Sequence, residues 1–401
     1  MATQKKRFTK KILRRILIAV FLMLVVVFGS LFVAARTFGR VPLSNLADVF
    51  TGFSVKGNSA FPYMADAGSV DRIVQLGGGI GVLRTDKFDV LTKSGALLQS
   101  VRHTYTTPAV DVCGGRALLY DRGGTRYMLL SKTSTLRTGE IEKKTKDSKD
   151  TLDKNERQIL TAALDEHGRI AIAVSSENTK SILTVYKTDG KPFFQYKCVS
   201  EYITDIAFTQ NGVALTVVGA KNASPYSRLL VLHFGKTEPI AEYTYDGTSL
   251  FHVHSSGSNI TACSSTLMTT LRHKTQQPEV PFGSDTLQFF CADANGKSSL
   301  ALLTYGNEHE SKLRGVSPNG ETAFEADCGE KLKDLSRSSI YTCALTDDAV
   351  LTYNNVGACI GTLTLTQSAR NICLNDRTVY VLFNDRIDAF PAAGTHTQPE
   401  E

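Results

Sequence analysis

The hydrophobic pattern of this chain changes character near residue 54. Residues 16–35 form a run of twenty positions without a charge, apolar on every side. From about Ser54 to Pro391 the apolar runs shrink to four to nine residues, rich in Val, Ile, Leu, Thr, Tyr and Phe. Gly, Asn, Asp or Ser separates them at short intervals. Such punctuated runs predict β-strands, and no stretch keeps a helical period over three turns. The nearest helical candidate, Thr138–Gln158, is so charged that it reads as a solvated loop.

The strands repeat. One unit is a strand, an Asx-Gly turn and a second apolar strand: 159–174 (ILTAALDEHGRIAIAV), 203–218 (ITDIAFTQNGVALTVV) and 287–303 (LQFFCADANGKSSLALL). A second unit alternates with it: 88–98 (FDVLTKSGALL), 183–194 (LTVYKTDGKPFF) and 350–363 (VLTYNNVGACIGTL). Together they make four antiparallel strands per repeat. Repeats start near Val70, Ala109, Arg157, Tyr202, Ser249, Asp285, Lys331 and Ser368, a spacing of about 43 residues, as in four-stranded propeller blades. A lone four-stranded sheet cannot bury both faces, and radial packing covers them. The expected fold is therefore an all-β propeller of eight four-stranded blades, with seven as the alternative. The last repeat has room for three strands, and 59–66 (SAFPYMAD) would supply its fourth and close the ring. A sandwich also gives regular short strands. The internal similarity and the lack of a Pro/Ser-rich linker favour the ring.

The first run has another meaning. Twenty helical residues span the roughly 30 Å hydrocarbon core of a bilayer and satisfy their own backbone there. Seven basic residues (Lys5, Lys6, Arg7, Lys10, Lys11, Arg14 and Arg15) precede it with no acidic one. This asymmetry predicts a cytoplasmic N-terminus and an extracytoplasmic C-terminal part. Val33-Ala34-Ala35 also fits a signal-peptidase site, but the run is long for a cleaved signal. The expected organisation is a basic tail (1–15), a transmembrane helix (16–35), a membrane-proximal linker (36–54), the propeller (55–391) and a frayed polar tail (392–401). Removing the seven tail charges from 45 Lys and Arg leaves 38 against 39 Asp and Glu. The exported part is then near neutral, with no basic stripe for phosphates, so nucleic acid is not an expected partner.

The run 103–120 (HTYTTPAVDVCGGRALLY), continued by Asp121-Arg122-Gly123-Gly124, resembles the most characteristic stretch of a bacterial family of uncharacterised single-span membrane proteins. The resemblance covers essentially the whole chain. It implies a β-propeller-like domain of unknown function and carries no assigned activity.

Candidate chemistry is sparse. Of eight cysteines, Cys113, Cys291 and Cys373 fall in first strands and Cys263 and Cys343 in second strands. Small apolar thiols suit the packing between blades there. No Cys-x-x-Cys or zinc spacing occurs, so mostly free thiols are expected. His252 and His254 stand two apart on a strand and share a face, yet no third metal ligand offers itself nearby. The glycine run 77–81 lies between strands, where no helix receives a phosphate. The turn 292–297 (ADANGK) resembles that of quinoprotein-type repeats, but the chain has no Trp to stack on such a quinone. Neither a nucleophile elbow nor a His-Glu-x-x-His helix is present. No catalytic residue, metal or cofactor is expected.

His103, Tyr105 and Pro108 sit at the connection from the first blade into the second, on a propeller face where partners meet the ring. Their alternative role is to cap a blade edge and fix the turn. The expected function is a membrane-anchored binding or scaffold module for a protein or another cell-envelope partner. The alternative is a lyase or hydrolase with its site in the central channel, where residues from different blades converge.

Overall fold

The computed structural model describes residues 61–66, 68–141, 157–307 and 309–398. The basic tail, the apolar run 16–35 and the linker 36–54 lie outside these residues, and no helix occurs among the described ones. Eight sheets form, each built on the antiparallel four-strand meander that the repeats predict. Their inner strands begin at Val70, Pro108, Ile159, Tyr202, His252, Thr286, Asp334 and Asn371. Each start lies within three residues of its expected position.

Burial along a blade follows its geometry. The second strand sits in mid-sheet with blades on both sides, so all six residues of Gly79–Arg84 and of Arg116–Asp121 are buried. Burying a Leu, Ile or Val side chain stabilises by about 1.5–3 kcal/mol. The outermost strands alternate, as in Pro192–Cys198, because one face meets water. Every residue of the inner strand Pro108–Cys113 is part-exposed, since it borders the central channel.

The glycine run fits a blade turn. Gly77 takes a φ of 56°, and a Cβ on Gly81 would overlap the Phe88 ring. Blade 5 is irregular: its outer strand is split into Thr275–Gln276 and Val280–Pro281, both paired to Leu267–Arg272.

Ring closure uses both ends of the described chain. Tyr63–Met64 pairs with Arg386–Pro391 and supplies the fourth strand of blade 8. Phe61 packs against Tyr380, centroids 5.4 Å apart. The Tyr63 hydroxyl donates to Asp89 of blade 1 at 3.1 Å, where Asp89 also pairs with buried Arg84 at 3.0 Å.

The expected frayed tail is corrected over its described part. Gly394–Thr397 adds a fifth strand, parallel to Cys359–Thr364 of blade 7. Gln398 is buried; its N–H donates to Thr364 O and its side-chain oxygen accepts the Thr366 N–H, both at 3.0 Å. Backbone pairing along an open edge, with one buried anchor, outweighs the polar composition. The charged segment is also partly corrected: Thr138–Glu140 ends the outer strand of blade 2, and its core, 142–156, lies outside the described residues.

Candidate functional site

In this meander the crossovers between blades and the turns between second and third strands gather on one face, the upper face. The crossover from blade 1 to blade 2 is built around buried polar groups. The Asp121 carboxylate accepts the backbone N–H groups of Thr106 and Thr107, each at 2.9 Å. Tyr105 N–H donates to His103 Nδ1 at 3.3 Å, so Nε2 carries the proton and donates to Arg84 O at 3.2 Å. The His103 and Tyr105 rings stack, centroids 4.9 Å apart. Burial holds the His103 imidazole below its ordinary pKa and pushes the Tyr105 phenol up to about 12. Both are therefore neutral near pH 7.

His103 and Tyr105 open on a cleft of about 480 Å³, walled also by Arg102, Arg126, Tyr127 and Glu140. Arg126 Nη2 donates to Thr104 O at 3.0 Å, and its guanidinium lies 5.8 Å from the centre of the Tyr105 ring. Arg137 lies at the same distance from Tyr127. The Glu140 carboxylate accepts the Thr125 hydroxyl at 3.0 Å. Pro108 stands apart: it opens the inner strand of blade 2, paired with Asp121, and is not among the cleft-lining residues. His103 and Tyr105 thus both brace the crossover and line an accessible concavity. Arg102, Arg126 and Tyr127 carry no sequence signal of this role, because blade packing alone brings them there.

The central channel shows a second pattern. Asp111 accepts Leu164 N–H at 2.7 Å, Asp205 accepts Val253 N–H at 2.9 Å, and Asp334 accepts Ile372 N–H at 2.8 Å. In each case an inner-strand carboxylate stitches its blade to the next inner strand. Burial pushes Asp111 up to about 6 and Asp205 up to about 7, against the pull of those N–H groups. Asp334 is raised for the same reason, and the charge of Arg72 on blade 1 opposes that shift. The recurring signal was an Asx before an aliphatic residue in the first strand: Asp111-Val112, Asp205-Ile206, Asp334-Leu335 and Asn371-Ile372.

His252 and His254 do share a face, turned toward blade 6. His252 stacks on Phe290 at 5.7 Å, with Nδ1 3.9 Å from Asp205, and His254 Nε2 hydrogen-bonds Asp293 O at 3.1 Å. Burial lowers both imidazoles. Among the described residues no three His, Cys, Asp or Glu side chains gather into a metal cluster. The ADANGK turn is held by Asp293, which accepts Asn295 N–H at 2.8 Å and Lys297 N–H at 3.1 Å.

Residues 49–390 match the family described as "Family of unknown function (DUF5711)". No curated protein matches the chain in sequence. Among solved structures, Sqt1 of Saccharomyces cerevisiae is similar with a TM-score of 0.56 and 10% identity, over 82% of this chain and 98% of that one. AztD of Citrobacter koseri gives 0.53 and 9%, over 76% and 88%. BamB of Moraxella catarrhalis gives 0.50 and 11%, over 82% and 100%. At such identities these likenesses speak for the fold alone.

Proposed function

The chain belongs to the DUF5711 family, and because membership brings no activity with it, we propose from its own residues that it is a binding or scaffold module. In this reading residues 16–35 anchor it in the membrane with the basic tail inside, and the propeller works outside the cytoplasmic face on a protein or another cell-envelope partner. The basic flank and the unbroken apolar run support the topology. The near-neutral charge of the remainder supports a partner other than nucleic acid.

The observation that carries the binding reading is the upper-face cleft, floored by the His103–Tyr105 stack and open to solvent. The same face carries exposed apolar side chains: Val199 and Tyr202 at one crossover, Phe251 at the next, and Tyr305 in the blade 6 turn, 77% exposed. Leu97, Leu136 and Val356 are exposed toward the other face, so it is the concavity beside these groups that favours a contact surface here.

The enzyme alternative draws on Asp111 and Asp205, whose raised carboxyls titrate near neutrality as a general acid or base must. Both accept a backbone N–H of the next blade, which already gives each a structural task. A photo-crosslinking residue placed at Tyr202 or Tyr305 should give discrete adducts in native membranes, and one at Val356, on the opposite face, should not. Equal labelling from both faces, together with turnover of a small substrate lost in Asp205→Asn, would reverse the choice.

A further inference from the structure

We propose that the blade 1–blade 2 cleft recognises a peptide segment through a carboxylate, held by Arg102, Arg126 and the Tyr105 hydroxyl. The inference deepens the binding-module reading and rests on it.

Two observations converge. Arg84, Arg169, Arg228, Arg314, Arg337 and Arg386 each meet a carboxylate within the ring. Arg102 and Arg126 line the same cleft and meet none among the described residues. Arg126 spends one donor on Thr104 O and keeps the rest of its fork. Independently, Tyr105 and Tyr127 bury their rings, 8% and 7% exposed, while neither hydroxyl is sealed from solvent or bonded to another described residue, so both are available at the cleft. Two open hydroxyls and two guanidiniums without a carboxylate contact form a donor set that outnumbers the one acid beside it, Glu140, which faces Arg126 in the strand register.

The acceptor it fits is planar and singly charged. A guanidinium fork matches a carboxylate with two parallel bonds, and a phenol adds a third from the side. Glu140 on the outer-strand rim tempers the positive field, leaving the cleft at one net positive charge with His103 neutral. That balance suits a monoanion better than a phosphate dianion. Met128 and the tyrosine rings give apolar surface for residues flanking the acid, which favours a peptide over a free small anion.

The test is fluorescence anisotropy on the full chain with a labelled, capped hexapeptide carrying two glutamates between leucines, and with its glutamine twin. The glutamate peptide should bind about tenfold more tightly, as expected for loss of charge-assisted bonds. R102Q and Y105F should each weaken it about fivefold or more at unchanged melting temperature. An uncapped twin with only a terminal carboxylate separates side-chain from C-terminal recognition, and either one binding upholds the proposal. Equal binding of the glutamate and glutamine peptides, wild-type affinity in R102Q and Y105F, or displacement by inorganic phosphate as effective as by acetate would overturn it. So would no binding of any acidic peptide at millimolar concentration. If peptide binding fails while Tyr305 adducts persist, only the carboxylate chemistry falls. If the adducts vanish while the peptide binds, the partner reading falls instead.

Discussion

Asn371 Oδ1, on the inner strand of blade 8, accepts the backbone N–H of Ile73, on the inner strand of blade 1, at 2.9 Å. This bond joins residues 298 apart in sequence. The Asn371 amide nitrogen in turn donates to Asp334 of blade 7, so three consecutive blades share one polar relay at the closure. Asn375 adds two bonds from its amide to Gly77 O and Gly79 O, each at 3.0 Å. Asn371→Leu keeps the volume and removes both roles, leaving a buried N–H and a buried carboxylate short of partners. We expect a loss of about 2–3 kcal/mol, read as a lower urea midpoint with unchanged slope. A midpoint equal to wild type would show that strand pairing with Tyr63–Met64 closes the ring unaided.

The inner-strand carboxylates predict how stability moves with pH. Asp205 ionises near 7 in the ring, against about 4 for an unfolded aspartate. Between those values the folded state holds the extra proton, so its stability is greatest below pH 4 and falls as pH rises to 7. Asp111, raised to about 6, adds a slope of the same sign. The charge of Asp111 raises Asp205 further and that of Arg122 lowers it, while His252 stands 3.9 Å away. Asp205→Asn keeps an oxygen for Val253 N–H and loses the part-buried charge. It should therefore melt higher than wild type at pH 8 and show a flatter profile from pH 4 to 7. A variant that melts lower at pH 8 would assign Asp205 a favourable ionised role.

Much of this architecture was legible because strand period and turn chemistry are local. The Asx-Gly turns and the regular spacing placed all eight inner strands, and SAFPYMAD announced the closing strand at Tyr63–Met64. The strand Gly394–Thr397 was not legible, since what orders it is the free edge of Cys359–Thr364, far away in the pattern. The cleft was half legible. His103 and Tyr105 stood out at a crossover, whereas Arg126 and Tyr127 come from a third strand and face the cleft only through its packing. Nor did Asp293 announce its partner, because Arg337 belongs to the next blade.

That pair is deeply buried, both side chains no more than 3% exposed and 3.2 Å apart. Arg337 also donates to Ser299 and Thr342 at 2.9 Å and to Asn355 at 2.6 Å, so with Asp293 four of its five donors are used between blades 6 and 7. Arg337→Met should destabilise by about 3–5 kcal/mol, because Asp293 is left as a buried charge without its counterion. Adding Asp293→Asn should recover part of that loss while keeping the turn acceptors for Asn295 and Lys297. No recovery in the double variant would mean that the hydroxyl bonds of Arg337, rather than the charge pair, hold the blades.

The thiols offer a reading of the whole ring at once. All eight cysteines are free, and only Cys359 is exposed. Burial pushes Cys198 up to about 11 and Cys113, Cys291, Cys343 and Cys373 up to about 12, and it raises Cys263 and Cys328 as well. At pH 8 a thiol with a pKa near 12 is thiolate in only about one molecule in ten thousand, and the thiolate is what reacts. Cys113 and Cys291 are part-exposed on inner strands, so for them the raised pKa adds to restricted access in slowing attack. A disulfide reagent added to the native chain at pH 8 should therefore modify one thiol quickly, Cys359, and the other seven only as denaturant opens the blades. Cys359→Ser should abolish the fast phase. A second fast thiol in that variant would show that an inner strand opens to solvent in the native ring.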